Sequence, residues 1–181
     1  MNLRTFVPPP ATPTVAPPAV GAAAPGLPAG APEDRPMVVA FLRHTGCPFA
    51  EWTARELRSA AERHPDVAWV AISHAPPEAT SAWAEAVGGL GDVVLLTDPD
   101  RACYAAWGLG RSSLAHFAGR RSLAQVAKLA RAGVRNRHPD GTRWQRAGTF
   151  AVDATRMVQW RHLPGHAGDL PDLSEAASIL K

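Results

Sequence analysis

The chain has 181 residues, 46% of them apolar and 19% charged, with a formal charge of +3, which suits one domain able to bury a full core. No run of eighteen or more apolar residues is present, and the start, Met1-Asn2-Leu3-Arg4-Thr5-Phe6-Val7-Pro8, lacks the continuous apolar stretch of a signal peptide, so a cytoplasmic protein with no membrane contact is the default expectation. Two cysteines, Cys47 and Cys103, are too few for a secreted disulfide framework and form no paired metal-binding motif.

Residues 1–36 hold ten of the eighteen prolines and eight alanines. Such a composition cannot bury enough apolar surface to offset chain entropy, so a disordered or extended leader is expected, with the folded unit running from 37 to 181. Met37 to Arg43 reads as a buried strand, Gly46 as a turn and Pro48 as the first residue of a helix. From Glu51 to His64, Trp52, Leu57, Ala60 and Ala61 recur among charges, which predicts about four helical turns ending before Pro65. Val67 to His74 is a second apolar strand, Glu78 to Val87 a short helix closed by Gly88-Gly89, and Val93 to Thr97 a third strand. Asp98-Pro99-Asp100 then forms a turn that caps a helix carrying Cys103, Tyr104 and Trp107.

Between Arg111 and Arg146 nine lysines or arginines face one acid, Asp140, so the rest of the chain is net acidic. Ser122 to Gly133 reads as an amphipathic helix with Leu123, Val126 and Ala130 on one face. The basic stretch is therefore either a solvated face or a site for an anion, and nucleic acid is the weaker reading. Thr149 to Asp153 and Met157 to Arg161 form a hairpin about an Ala154-Thr155 turn, and a last helix runs from Asp172 to Leu180. Strands alternating with helices, then a basic helical insertion, then β-β-α, describe an α/β thioredoxin-like fold: a central mixed sheet flanked by helices.

Cys47 ends the strand-to-helix turn, where unpaired N–H groups and the helix dipole favour thiolate and can bring a cysteine pKa from about 8.5 into the range of roughly 3.5–7.5. The alternative is a small buried cysteine at a strand end. His44 and His74 end neighbouring strands and could converge on Cys47, to tune the thiol, to ligate a metal or to hydrogen-bond structurally. Ala50 stands where a Cys-x-x-Cys pair would place its second sulfur, so local dithiol exchange is excluded. Of the six tryptophans, Trp52, Trp69, Trp83 and Trp107 fall on predicted core elements, and only Trp144 suits a surface.

The segments Phe41-Leu42-Arg43-His44, Gly46-Cys47-Pro48-Phe49-Ala50-Glu51, Val70 to His74, Asp98 to Gly108 and Arg143 to Asp153 together resemble the peroxiredoxin-like proteins of the AhpC/TSA group, closest to a branch common in fungi. The resemblance runs from about Val20 to the C-terminus. It implies a thioredoxin fold and an antioxidant thiol oxidoreductase without cofactor or metal. In that chemistry Cys47 attacks a peroxide or exchanges with a small disulfide, becomes a sulfenic acid, and is restored by glutathione or a thioredoxin-like reductant. It further implies Thr45 and Arg146 as donors positioning the oxygens. The family's threonine stands three residues before the cysteine, where this chain has His44, and Arg146 lies one residue further from the Thr-Phe strand than usual. His44 is the candidate tuner of the thiol, and Cys103 is either a resolving cysteine or a core residue. The competing class is a thioredoxin-fold interaction or regulatory protein that has lost turnover.

Overall fold

A computed structural model describes residues 7–135, 137 and 142–181. Strand β1 (Met37–Phe41) leads into α1 (Pro48–Arg63), β2 (Ala68–Ser73), α2 (Pro77–Ala86), β3 (Val94–Thr97) and α3 (Ala102–Ala106). Two helices follow, α4 (Leu114–Ala118) and α5 (Arg120–Arg131), and then β4 (Gly148–Val152), β5 (Val158–His162) and α6 (Leu173–Ser178). The strands form one sheet in the order β3-β2-β1-β4-β5. β1 runs parallel to β2 with Val39 opposite Val70, and antiparallel to β4 with Val39 opposite Phe150. The mixed thioredoxin-like sheet expected from the sequence is present.

Strand alternation divides the interior into two layers. Val38, Ala40 and Leu42 face a core that contains α1, with Ala54 and Leu57 fully buried, together with Trp69, Trp83 and Leu129. Met37, Val39 and Phe41 face the other core, built on Tyr104, Trp107 and Phe150. There the Phe41 ring meets Tyr104 edge-on at 5.0 Å between centroids. α1 presents Ala50, Ala54, Leu57 and Ala61 at helical spacing to its core, and Pro48 occupies its first turn, where a missing N–H costs nothing.

β1 ends at Phe41 rather than at Arg43, although the ladder continues one bond further, from Leu42 N to the Ile72 carbonyl at 2.8 Å. Tyr104 fixes this end: its hydroxyl lies 2.7 Å from both the Leu42 and the Ile72 carbonyl oxygens. Tyr104 is itself placed by the Asp98 carboxylate, which accepts from Tyr104 N at 2.9 Å, so the predicted turn does cap α3. The turn between β4 and β5 is held by the Asp153 carboxylate, which accepts from Thr155 N and Met157 N, each at 2.9 Å.

The predicted face of α5 is met in part, since Val126 packs against the core. Leu123 is 57% exposed, whereas Ser122 and Leu129 are buried. Ser122 turns inward because its hydroxyl donates to the His116 carbonyl at 2.8 Å, and that bond sets the rotation of the helix. Trp69, Trp83 and Trp107 are core residues, Trp52 packs at the core margin, and Trp144 is half-buried with its carbonyl accepting from Ser112 N.

The leader from residue 7 to 36 forms neither helix nor strand, yet it lies along the domain. Ala23 forms a bridge with Met157 at the outer edge of β5, where Gly21 N donates to the Val158 carbonyl. Arg161 donates to the carbonyls of Pro17 and Pro18, and the Trp107 indole donates to that of Gly26 at 3.1 Å. The edge strand is thereby covered, which limits pairing with other chains. At Gly108, φ is +72° and an added Cβ would lie 2.3 Å from Pro17 N. Gly108→Ala should therefore lift the leader and strain the turn by about 1–3 kcal/mol, detectable as faster proteolytic cleavage between residues 8 and 30 and a lower melting temperature.

Candidate functional site

Cys47 is the N-cap of α1, in extended backbone at φ −80° and ψ 128°, and its carbonyl accepts the first helical bond from Glu51 N at 3.1 Å. Its own N–H donates to the His44 carbonyl at 2.9 Å, closing the turn 44–47. The side chain is 2% exposed and belongs to the α1 core. The sulfur is nevertheless not surrounded by hydrocarbon alone. Arg43, buried at the strand end, donates from Nη1 to Sγ at 3.7 Å and from Nη2 to the Arg143 carbonyl at 2.8 Å. Arg143 also interacts electrostatically with Cys47, and burial and Arg43 together lower the Arg143 pKa. Two guanidinium groups thus bear on one sulfur at a helix N-terminus.

The turn is also tied from the α1 side. Glu51, one turn into the helix and almost fully buried, bonds Arg55 at 2.5 Å and Arg137 Nε at 3.4 Å. Arg137 N in turn donates to the Gly46 carbonyl at 2.9 Å, adjacent to Cys47. A buried carboxylate is tolerated here because both cations and the helix N-terminus face it.

The histidines converge as the strand order requires, but not in the state expected. His44 and His74 are both buried, and each has a buried Nδ1 with no hydrogen-bond partner among the described residues. Burial, then Arg43, Arg143 and His74, hold the His44 pKa well below its ordinary value. His74, whose Nε2 lies 3.1 Å from the Thr142 carbonyl, is lowered to about 4, first by burial and then by Arg101. Held neutral, His44 brings no positive charge to the turn, and the cations near Cys47 are Arg43 and Arg143. Among the described residues no group of three or more His, Cys, Asp or Glu could hold a metal ion.

Thr45 is buried on the turn two residues before Cys47. Arg146 is half-buried, its N–H donates to the Gly110 carbonyl, and its charge is felt at His116. The cation whose side chain bonds the sulfur is Arg43, a residue the sequence reading gave no role. Cys103 sits on the other side of the sheet, against the Tyr104 and Trp107 core, with Sγ 3.5 Å from the Gly26 carbonyl. Burial, and secondarily Asp98, push its thiol up to about 12. Cys103 thus packs against the opposite layer of the sheet from Cys47, and burial disfavours its thiolate. His138, expected in a turn with Pro139-Asp140-Gly141, lies outside the described residues.

Arg43 was missed although it lies in the quoted strand end; its distance of four residues from Cys47 across a tight turn was the available signal. Arg143 offered none, being 100 residues from Arg43 in the chain and one of nine basic residues in its segment.

The buried histidines make stability depend on pH. The folded pKa of His74, about 4, lies below the unfolded value near 6.5, so below pH 6.5 the unfolded chain takes up protons that the folded one refuses. Stability should be flat above about pH 6.5 and fall on acidification toward pH 4, by on the order of 3 kcal/mol from His74 alone, with His44 adding in the same direction. Urea unfolding of the protein and of His74→Gln at pH 7 and pH 4.5 measures this, the variant showing the smaller loss.

Among solved structures, the chain is similar to a thiol peroxidase from Chromobacterium violaceum, at 13% identity and a TM-score of 0.62, covering 92% of this chain and 88% of that one. A peroxiredoxin-like protein from Aquifex aeolicus is similar at 14% identity and a TM-score of 0.60, over 89% of this chain and 74% of the other. Peroxidoxin BcpB from Mycobacterium tuberculosis is similar at 20% identity and a TM-score of 0.52, over 81% and 79% respectively. At these identities the likeness shows the shared thioredoxin-like fold. No described helix is long and apolar enough to cross a membrane, and no curated protein matches the chain in sequence. Residues 55–166 match the AhpC/TSA antioxidant enzyme family, a span covering more than half of the sequence and running from α1 through the basic insertion to the loop after β5. This chain therefore belongs to the AhpC/TSA antioxidant enzyme family.

Proposed function

We propose that the protein is a thiol peroxidase that uses Cys47 as its single nucleophile, residing in the cytoplasm, with residues 37–181 as the working domain and 1–36 as a leader. The family match begins after Cys47, so the assignment of the nucleophile rests on geometry. The observation that carries it is the contact of Arg43 Nη1 with Cys47 Sγ at 3.7 Å, at the first turn of α1. A cation and a helix N-terminus are the kind of surroundings in which a cysteine becomes reactive. The attack forms a Cys47 sulfenic acid and releases water or an alcohol from the peroxide. Because Cys103 is remote, the reductant must come from outside, as glutathione or a thioredoxin-like protein. Arg43 stands where the anionic oxygen of a sulfenate would develop, and Thr45 and Arg146 complete the set of donors around the incoming oxygens. The neighbours' printed names, thiol peroxidase and peroxidoxin, support the same substrate class.

Burial of the sulfur favours a small oxidant and implies that the turn yields before a bulky one reaches it. Wild type supplied with glutathione, or with a thioredoxin and its reductase, should consume hydrogen peroxide, and Cys47→Ser should not. Arg43→Met should lower both peroxide consumption and the iodoacetamide alkylation rate of Cys47 at pH 7 by about 10²–10³-fold. Equal peroxide consumption by wild type and Cys47→Ser would leave a thioredoxin-fold protein without turnover.

A further inference from the structure

The leader is seated in two different ways along its length. Residues 21–31 belong to the fold: Ala24, Leu27 and Ala31 pack against the Tyr104 and Trp107 core, and Gly21 N and Ala24 N donate to the Val158 and Arg156 carbonyls, each at 2.8 Å. Residues 9–18 are held otherwise. Five of these ten residues are prolines, which have no N–H to give to a ladder, and Val15 is exposed. Their carbonyls accept instead from two exposed arginine side chains, Pro9 from Arg111 at 3.3 Å, and Pro17 and Pro18 from Arg161 at 3.1 and 2.8 Å. Charged contacts at a solvent-facing surface hold a segment weakly, and segments so held open at low free-energy cost. Between the two parts the chain turns at Gly21, with φ +83° and Ala22 N donating to the Ala19 carbonyl at 3.0 Å, a hinge that glycine tolerates without strain.

The surface beneath residues 9–18 leads to Cys47. Thr14 approaches Gly110, where an added Cβ would stand 3.2 Å from its Cγ2, and Pro10 and Thr12 share a crevice with Trp144 and Gln145. Pro9 forms part of the wall of a hollow of about 190 Å³ with His74 and Thr142, beyond the end of β2. Residues 110–112 and 144–146 are themselves paired into a short ribbon: Arg111 bridges Gln145, Ser112 N donates to the Trp144 carbonyl at 2.6 Å, and Arg146 N donates to that of Gly110 at 3.1 Å. Next to this ribbon in the chain stands Arg143, whose carbonyl accepts from Arg43 Nη2 and whose charge bears on Cys47. Contacts therefore run without a gap from the leader, through the ribbon, to the guanidinium pair beside the sulfur.

We propose that residues 9–18 are a strap that gates Cys47. Docked, the strap clamps the ribbon, and with it Arg143, against the Cys47 turn, and the sulfur is 2% exposed. Lifted about Gly21, it frees the ribbon and opens the sulfur to reagents larger than a peroxide. The firmly seated residues 21–31 stay in place during this movement, so the strap remains tethered beside its surface and closes again without a search. A small electrophile reaches the sulfur through slight yielding of the turn, whereas a bulky one waits for the strap. The inference concerns access to the sulfur and stands whether or not Cys47 turns over peroxide.

Two readouts on the full chain test the gate. Elastase cleavage within residues 11–20 reports whether the strap is docked. Labelling of Cys47 at pH 7 with iodoacetamide, and separately with fluorescein maleimide, reports access to the sulfur, with peptide mass spectrometry keeping Cys103 apart. Arg111→Gln combined with Arg161→Gln removes both anchors, and Gly110→Val pushes Thr14 away while leaving the anchors in place. Both variants should be cut about tenfold faster than wild type, and in both the ratio of maleimide to iodoacetamide rate should rise about tenfold. A ratio within twofold of wild type in a variant whose leader is cut faster would overturn the gate. Unchanged cleavage in both variants would overturn it too, because the strap would then not be held by these contacts. Peroxide consumption enters neither readout, so failure of the peroxidase reading and failure of the gate are told apart.

Discussion

The turn from β1 to α1 depends on one guanidinium. Arg43 leaves the strand buried, touches Cys47 Sγ with one nitrogen and the Arg143 carbonyl with another, and so joins the strand end, the helix cap and the segment before β4. A charge in that position must be compensated, and the arrangement compensates it with a polarisable sulfur and a carbonyl oxygen. The surrounding features follow from keeping this group in place. Tyr104 pins the carbonyl of Leu42, the residue before Arg43, and Arg137 pins that of Gly46. His44 stays neutral first because burial strips its charged form of water, and then because Arg43 and Arg143 would repel a further cation.

The order of elements was legible because each strand is an uninterrupted apolar run bounded by proline, glycine or aspartate. Val38 to Phe41 and Val70 to Ile72 needed no tertiary information to be read as buried strands. The face of α5 was not legible, since Ser122 and Leu123 are equally compatible with the helix and only the bond from Ser122 to His116 decides between them. Periodicity ranks residues by hydrophobicity, and here a hydroxyl with a partner outcompeted a leucine for the interior.

The site was half legible for a similar reason. The position of Cys47 is local, so glycine, cysteine and proline in sequence sufficed to place it. The identity of its cation is not local. The contact is made by Arg43, to which the sequence reading gave no role, and Arg143 comes from the far end of the insertion. The protonation of His44 and His74 was likewise beyond sequence, because it depends on how much water the folded chain leaves around each ring and on arginines brought there by the sheet.

The sheet has one more effect, through the two cysteines it holds apart. Cys47 packs in one layer and Cys103 against the other, so in the folded chain the two sulfurs lie on opposite faces of the sheet. Under the proposed single-cysteine chemistry, each oxidation at Cys47 is discharged outward, to a molecule in solution. The lifetime of the oxidised form is then written by the thiol supply around the protein rather than by the chain, which makes the state of this one sulfur a running record of its surroundings.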